Sequence, residues 1–391
     1  MEVKQIYNLI NSVSGEVLGK TSIVKEDLTG VVDLGTEVFN QGAVDNYVKS
    51  LVNHIGKVIF VNRPYAGKIP SVLMDAWEFG SVLEKISADV PEATENDTWI
   101  LKDGAEYKQD IFHKPVVSAK FFNSRVTFEV PVSITERQVK ESFSSAAQLN
   151  GFLSMIYSAV EKSMTIKTDA LIMRTINNMV GETLFADAAA FTGAGKAVNY
   201  GSASTVRCVN LLYLYNNAKG ATLTADKCLT DGDFIRFASY QMGLYADRLQ
   251  SISTLFNVGG KERFTPKDSL HTVLLSDFAK GAQAYLYADT YNKEQVLLPN
   301  AETVASWQGT GEDYGFANTS AISIKTSGNH EISVGGVLGV MFDRDALGVC
   351  NLDKRVTTNY NAKAEFFNNY YKFDAGYFND TNENFVLFFV A

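Results

Sequence analysis

The sequence predicts an α+β protein, on the strength of three regional contrasts. Five of the seven prolines fall between Pro64 and Pro131, and because proline lacks a backbone donor and breaks helix interiors, that stretch should be largely extended. From Ser144 to about Val180 there is no proline and one glycine, Gly151, while apolar residues recur at helical spacing. Residues 337–391 alternate aromatic-rich strands with turn residues and finish on Phe385-Val386-Leu387-Phe388-Phe389-Val390-Ala391. An apolar run of this kind places the closing strand inside a sheet rather than hanging from it.

Taken in order, residues 1 to 60 are expected to form two short helices joined by a Gly- and Thr-rich connection. In the second, Val44, Tyr47, Val48, Leu51, Val52 and Ile55 share one apolar face, which needs a surface in its own subunit or a neighbour. Within 64–131, Lys102-Asp103-Gly104 has the turn chemistry to reverse the chain, giving a long hairpin arm. Glu84, Asp89, Glu92, Glu95 and Asp97 precede the reversal; Lys108, Lys114, Lys120 and Arg125 follow it. A two-stranded ribbon is marginal in water, so such an arm requires a support. Its return limb ends in strict alternation, Val126, Phe128, Val130, Val132 and Ile134 against Thr127, Glu129, Pro131 and Ser133. That is a half-buried strand, placed at an edge or bulge by Pro131.

Thr135-Glu136-Arg137-Gln138 matches a capping box that starts a helix. The helical pattern over 144–181 spans about 50 Å at 1.5 Å per residue, with Gly181 as its expected stop and a kink expected near Thr165–Thr168, where β-branched residues gather. Further helices are expected near 206–217, 232–247 and 276–289, and strands near 271–275, 320–325 and 335–342. The strand Val337–Phe342 runs into the turn Asp343-Arg344-Asp345-Ala346. Asn379–Asn384 is expected to fold the strand 368–378 back on the last one as a β-hairpin.

Composition excludes several classes. Hydrophobic residues make up 46% and charged residues 20% of the 391, which is ordinary for a globular protein. No apolar run approaches the roughly 20 residues that span a bilayer, and the start lacks a signal-peptide layout, so a protein made in the cytosol, without a membrane, is expected. A net charge of −9 argues against tight binding of nucleic acid through its phosphates. Cys208, Cys228 and Cys350 have no metal or redox spacing and are expected to be buried thiols.

Chemistry-bearing motifs are missing. Gly193-Ala194-Gly195-Lys196 lacks two residues of a phosphate-binding loop, since Ala190 and Ala197 occupy the required Gly and Ser/Thr positions. His54, His113, His271 and His330 have no ligand spacing. Asp343 and Asp345 could pass for a carboxylate pair, the basis of an alternative reading as a hydrolase, but a charged turn between apolar strands needs no chemistry to explain it. No catalytic residue, cofactor or metal is assigned.

The stretches Asp343–Asn361 and Phe373–Val390, together with the order of segments along the chain, resemble the major capsid proteins of tailed bacteriophages with the HK-ninety-seven-like fold. The resemblance implies an N-terminal arm at 1–63, an extended hairpin loop at 64–131, a peripheral domain with a spine helix at 132–199 and 346–391, and an axial domain at 200–345. It implies a non-enzymatic subunit that self-assembles into pentamers and hexamers of an icosahedral shell around double-stranded DNA. Such a shell is assembled in the host cytoplasm, with scaffold, portal and decoration proteins as further partners and only weak, non-specific contact with DNA. An encapsulin-type nanocompartment is similar in the same respects, and a decoration or tail protein is a further alternative. Expected inter-subunit contacts are Tyr47, Leu51, Trp77, Trp99, Lys102, Lys108, Lys114 and Trp307. Covalent cross-linking through lysine and asparagine occurs in some members, but no motif here selects a pair. The structured look of the first residues gives no removable scaffolding segment.

Overall fold

The computed structural model describes residues 3–19, 46, 69–74, 83–91, 93, 95, 99–106, 112–135, 146–192, 198–287, 298, 300–307, 321–326 and 330–391. The second N-terminal helix with Tyr47 and Leu51, Trp77, Lys108, the residues after Thr135 in the capping box and the 193–197 loop lie outside them. The first helix, α1, is Val3–Leu18.

Among the described residues two larger sheets carry the body. The first contains β1 (Leu73–Met74), β4 (Arg125–Thr135), β11 (Leu347–Asn361) and β12 (Phe366–Asn379), in the order β1-β11-β12-β4. Pro131 therefore lies on an edge strand, where its missing N–H breaks no ladder, and the alternation of Val126, Phe128, Val130 and Val132 towards the body is as expected. The second contains β5 (Cys208–Asn210), β6 (Leu270–Leu275), β7 (Ala301–Val304), β10 (Val337–Asp343) and β13 (Phe385–Phe389), in the order β5-β13-β10-β6-β7. Every residue of β6, β10 and β13 is buried except that His271 sits at the margin, so this sheet is covered on both faces.

The expected C-terminal hairpin does not form. Both edges of β12 are occupied, by β11 and by β4, so β13 has no place beside it. It crosses instead to the other sheet, between β10 and β5. Residues 346–391 are thus shared between the two sheets rather than belonging to one with the long helix. The expected arm is also shorter than 64–131. Ile69 and Val72 are core residues, β1 pairs with Val349 and Cys350, and from Arg125 the chain is already in the body sheet. Between these points β2 (Leu83–Ala88) and β3 (Val117–Phe122) form a separate two-stranded ribbon.

The long helix, α2, runs unbroken from Ala146 to Ala186, 41 residues. Thr165 and Thr168, where a kink was expected, donate their hydroxyls to the carbonyls of Glu161 and Met164 at 3.0 Å each. Thr175 and Thr183 do the same at 2.8 Å, which satisfies the hydroxyls internally and lets both be fully buried beside Ile176, Met179 and Val180. Gly181 is not a stop. A Cβ at this position would collide with the side chain of Ile324 in β8 (Ile322–Lys325), the first strand of a hairpin with β9 (Glu331–Val334), so the glycine lets that hairpin approach the helix.

Among the described residues, apart from a single helical turn at Ala188–Phe191, the remaining α-helices are α3 (Leu211–Lys219), α4 (Gly232–Leu249) and α5 (Ser276–Tyr287), close to the expected positions. The chain before α3 is a strand instead, because Asn210 ends β5 and caps the helix by accepting from the Tyr213 amide at 3.1 Å. Asp231 caps α4 in the same way at 2.8 Å. Cys208, Cys228 and Cys350 are buried free thiols, and among the described residues no helix is long and apolar enough to cross a membrane.

The closing strand is seated by Gly336, whose φ of +66° favours glycine and whose Cβ position is filled by the Val390 carbonyl oxygen; the Val390 amide donates back to the Gly336 carbonyl at 2.9 Å. Gly336→Ala adds left-handed strain to a collision with backbone, so it should destabilise the fold by about 2 kcal/mol or more. The denaturant midpoint of the purified subunit measures this.

Candidate functional site

The β2–β3 ribbon is built inside out. On a half-buried strand the apolar residues normally face the protein and the polar ones face water. Here the face turned to the body carries Lys85 and Ser87 on β2 opposite Lys120 and Ser118 on β3, with the two serine hydroxyls 3.0 Å apart. Ile86, Val117 and Phe121 point away from the body and are 64%, 58% and 63% exposed. Only the root of the inner face is apolar, where Phe122 packs on Phe378 with ring centroids 5.1 Å apart. The Asp89 amide donates to the Val116 carbonyl and extends the ladder by one step. Farther out, Ala105 donates to Lys102 at 3.2 Å around Gly104, the reversal expected at Lys102-Asp103-Gly104.

Lys85 and Lys120 are directly opposite each other in the ladder, an arrangement that like charges destabilise. Asp380 resolves it. The Lys85 ammonium lies 3.0 Å from Asp380 Oδ2, and the Lys120 ammonium donates to Oδ1 at 2.9 Å. Lys85 also donates to Glu383 Oε1 at 2.7 Å and to the Asp345 carbonyl at 3.1 Å. Arg263 Nε reaches the same Glu383 oxygen at 3.3 Å, and Lys261 holds Asp89 at 3.1 Å. Burial alone would raise the carboxyl pKa of Asp380, but the hydrogen bond from Lys120 and the charge of Lys85 outweigh it and hold the group below the usual carboxylate range. Burial would likewise lower Lys85; Glu383 and Asp380 outweigh it and keep its pKa above the ordinary lysine value.

These acids stand where the chain passes between the two sheets. One passage is the turn after β10, the other the segment between β12 and β13, and they are hydrogen-bonded side by side: Asp380 N to Ala346 O at 2.6 Å, and Asp343 N to Asn384 O at 3.0 Å. Asn379 ties the junction to α2 by donating to the Thr175 carbonyl at 3.0 Å. Asp343 accepts from the Asp345 amide at 2.9 Å, the local corner role expected of it. Burial raises the Asp343 pKa.

Of the expected contact residues, Trp99, Lys102 and Lys114 lie in exposed, non-strand segments between β2 and β3, and Trp99 is 78% exposed with Leu101 and Phe112 also exposed. Trp307 is a correction. It is fully buried, its indole donates to the Val337 carbonyl at 2.7 Å, and its own carbonyl accepts from Asn177 on α2 at 2.7 Å, so it joins the helix to β10 and offers a neighbour no surface. Asp380 and Glu383 were legible only as turn residues, because nothing local marks which cations they meet.

The chain belongs to the family of Phi29-like phage major capsid proteins, whose model matches residues 8–389, and it is therefore a structural protein of a phage icosahedral shell. Its fold is similar to a chain in the structure of the head fiber and inner core protein of native bacteriophage P68, with a TM-score of 0.50, 8% identity and coverage of 85% of this chain and 86% of that one. The capsid structure of Staphylococcus phage Andhra gives a TM-score of 0.48, 9% identity and coverage of 85% and 86%. No curated protein sequence matches the chain. The family match gives no support to the nanocompartment and hydrolase alternatives raised above.

Asp380→Asn should cost about 1–3 kcal/mol at neutral pH by removing the carboxylate that the two opposed lysines share. Since the folded pKa of Asp380 is depressed, its contribution is present above the unfolded value of about 4 and is lost as pH falls through the lower folded value. Asp343, with its raised pKa, works in the opposite sense and above the unfolded value, so the variant isolates the Asp380 share. Urea titrations from pH 3 to pH 7 should show a shallower acid slope for Asp380→Asn than for the parent.

Proposed function

We propose that the ribbon is the arm by which each subunit grips the next, laying its outward apolar face on a neighbouring copy in pentamers and hexamers of the shell. The inverted polarity of β2–β3 supports this: a ribbon whose polar side is satisfied by its own subunit keeps its apolar side for another molecule. If an arm of this kind covers about 1,000 Å² of a neighbour, the gross gain at about 25 cal/mol/Å² is roughly 25 kcal/mol, most of it offset by ordering and desolvation. Symmetry repeats the modest remainder at every contact of a closed shell.

In this reading the four-stranded sheet with α2 is the peripheral part and the five-stranded sheet with its helices the axial part. Trp99, Lys102 and Lys114 belong to the contact, and so do Tyr47, Leu51, Trp77 and Lys108. The subunit catalyses no reaction, and its work is association. Assembly takes place in the host cytoplasm with scaffold, portal and decoration proteins as partners. The net charge of −9 suits a lining that holds DNA only weakly.

Replacing residues 90–115 by a short Asn-Gly turn removes the outer ribbon and leaves the Lys85–Asp380–Lys120 root. The shortened subunit should melt within a few degrees of the parent and remain unassembled in sedimentation and negative-stain microscopy, with scaffold supplied. Normal shells from it would overturn the arm assignment.

A further inference from the structure

Aspartate is followed by glycine twice in the chain, at Asp103-Gly104 and at Asp231-Gly232. In such a pair the glycine amide nitrogen can attack the aspartate Cγ, because glycine has no Cβ to obstruct the approach. The N–Cγ bond forms and the amide proton leaves with the carboxyl OH as water, which closes a five-membered succinimide. Water then adds back. Breaking the N–Cγ bond restores aspartate. Breaking the bond from nitrogen to the main-chain carbonyl carbon leaves isoaspartate instead, in which the main chain runs through Cγ and is longer by one methylene. The water lost is regained, and no oxidant, reductant or enzyme is required.

The fold treats the two pairs in opposite ways. Asp103 and Gly104 are exposed, in a turn between β2 and β3. Gly104 has a φ of +76° and open space around its Cβ position. The hydrogen bond of the turn runs from the Ala105 amide to the Lys102 carbonyl, so neither the Gly104 amide nor the Asp103 carboxylate is bonded to a described residue. Nucleophile and carboxyl are both free to meet. At the second pair they are not. The Asp231 carboxylate accepts from the Phe234 amide at 2.8 Å as the cap of α4, and the Asp231 carbonyl accepts from the Ile235 amide at 3.1 Å. Gly232 lies against the Tyr285 ring, 3.0 Å from where a Cβ would stand. A succinimide there has to give up the cap and the first helical hydrogen bond and move the glycine away from the ring. We propose that Asp103-Gly104 is a site of spontaneous isoaspartate formation in the folded subunit, and that the start of α4 protects Asp231-Gly232 from the same reaction. A subunit that waits unassembled is altered first at this turn.

The purified full-length subunit, and the same chain unfolded in guanidinium chloride, are aged at neutral pH. After tryptic digestion, isoaspartate is counted by methylation with an L-isoaspartyl carboxyl methyltransferase and located by fragmentation of the peptides. Folding should change the rate at Asp103 by less than about threefold and slow the rate at Asp231 by about tenfold or more. Asp103→Glu, which would need a six-membered ring, should remove the signal at that position with an unchanged melting curve. Asp103→Asn should form isoaspartate faster, with ammonia leaving in place of water. A folded subunit in which Asp103 is slowed as much as Asp231 overturns the proposal, and so does one in which Asp231 isomerises as fast as in the unfolded chain. The measurement is made on free subunits, so its outcome is independent of the arm assignment.

Discussion

A carboxylate taken out of water must meet a cation, and the arrangement of this subunit follows from where Asp380 meets its own. The passage from β12 to β13 carries Asp380 and Glu383 into the seam between two sheets, where they are 2% and 8% exposed. Their partners on the ribbon, Lys85 and Lys120, come from sequence positions 260 or more residues away. Those lysines face one another across the ladder and need a shared anion as much as the anion needs them. Each half of the cluster would be unfavourable alone. Together they set where the ribbon leaves the body and which of its faces is turned outward.

Anchoring through ions satisfies the polar side of β2–β3 inside the subunit, so Ile86, Val117 and Phe121 are left on the outside, where a monomer gains nothing from them. The loop of Lys261 and Arg263 reinforces the same root. The junction also touches α2 through Asn379, and α2 reaches β10 through Asn177 and Trp307. The base of the ribbon is thus tied through the junction to both sheets and to α2.

Much of this was legible along the chain. The long proline-free segment became α2, the alternation from Val126 became an edge strand, and Lys102-Asp103-Gly104 forms a turn, because each depends on neighbours a few residues apart. The kink near Thr165 was misread since threonine hydroxyls can bond the carbonyl one turn back and stay helical. Gly181 resembled a stop, and only Ile324 approaching from the β8–β9 hairpin reveals why a glycine stands there. Trp307, marked by its size as an interface anchor, turned out to be a core residue with a satisfied indole.

Periodicity, proline placement and turn chemistry by themselves determined most kinds of element, their order and the extended character of the chain around β2 and β3, since these are local consequences of backbone sterics and side-chain spacing. The tertiary structure alone decided that the last two strands part company, that Asp380 neutralises a lysine pair from the far end of the chain, and that the arm turns its apolar side outward. Edge occupancy and charge pairing are long-range conditions, and a turn such as Asp380-Thr381-Asn382-Glu383 carries no local sign of what the rest of the chain will bring against it.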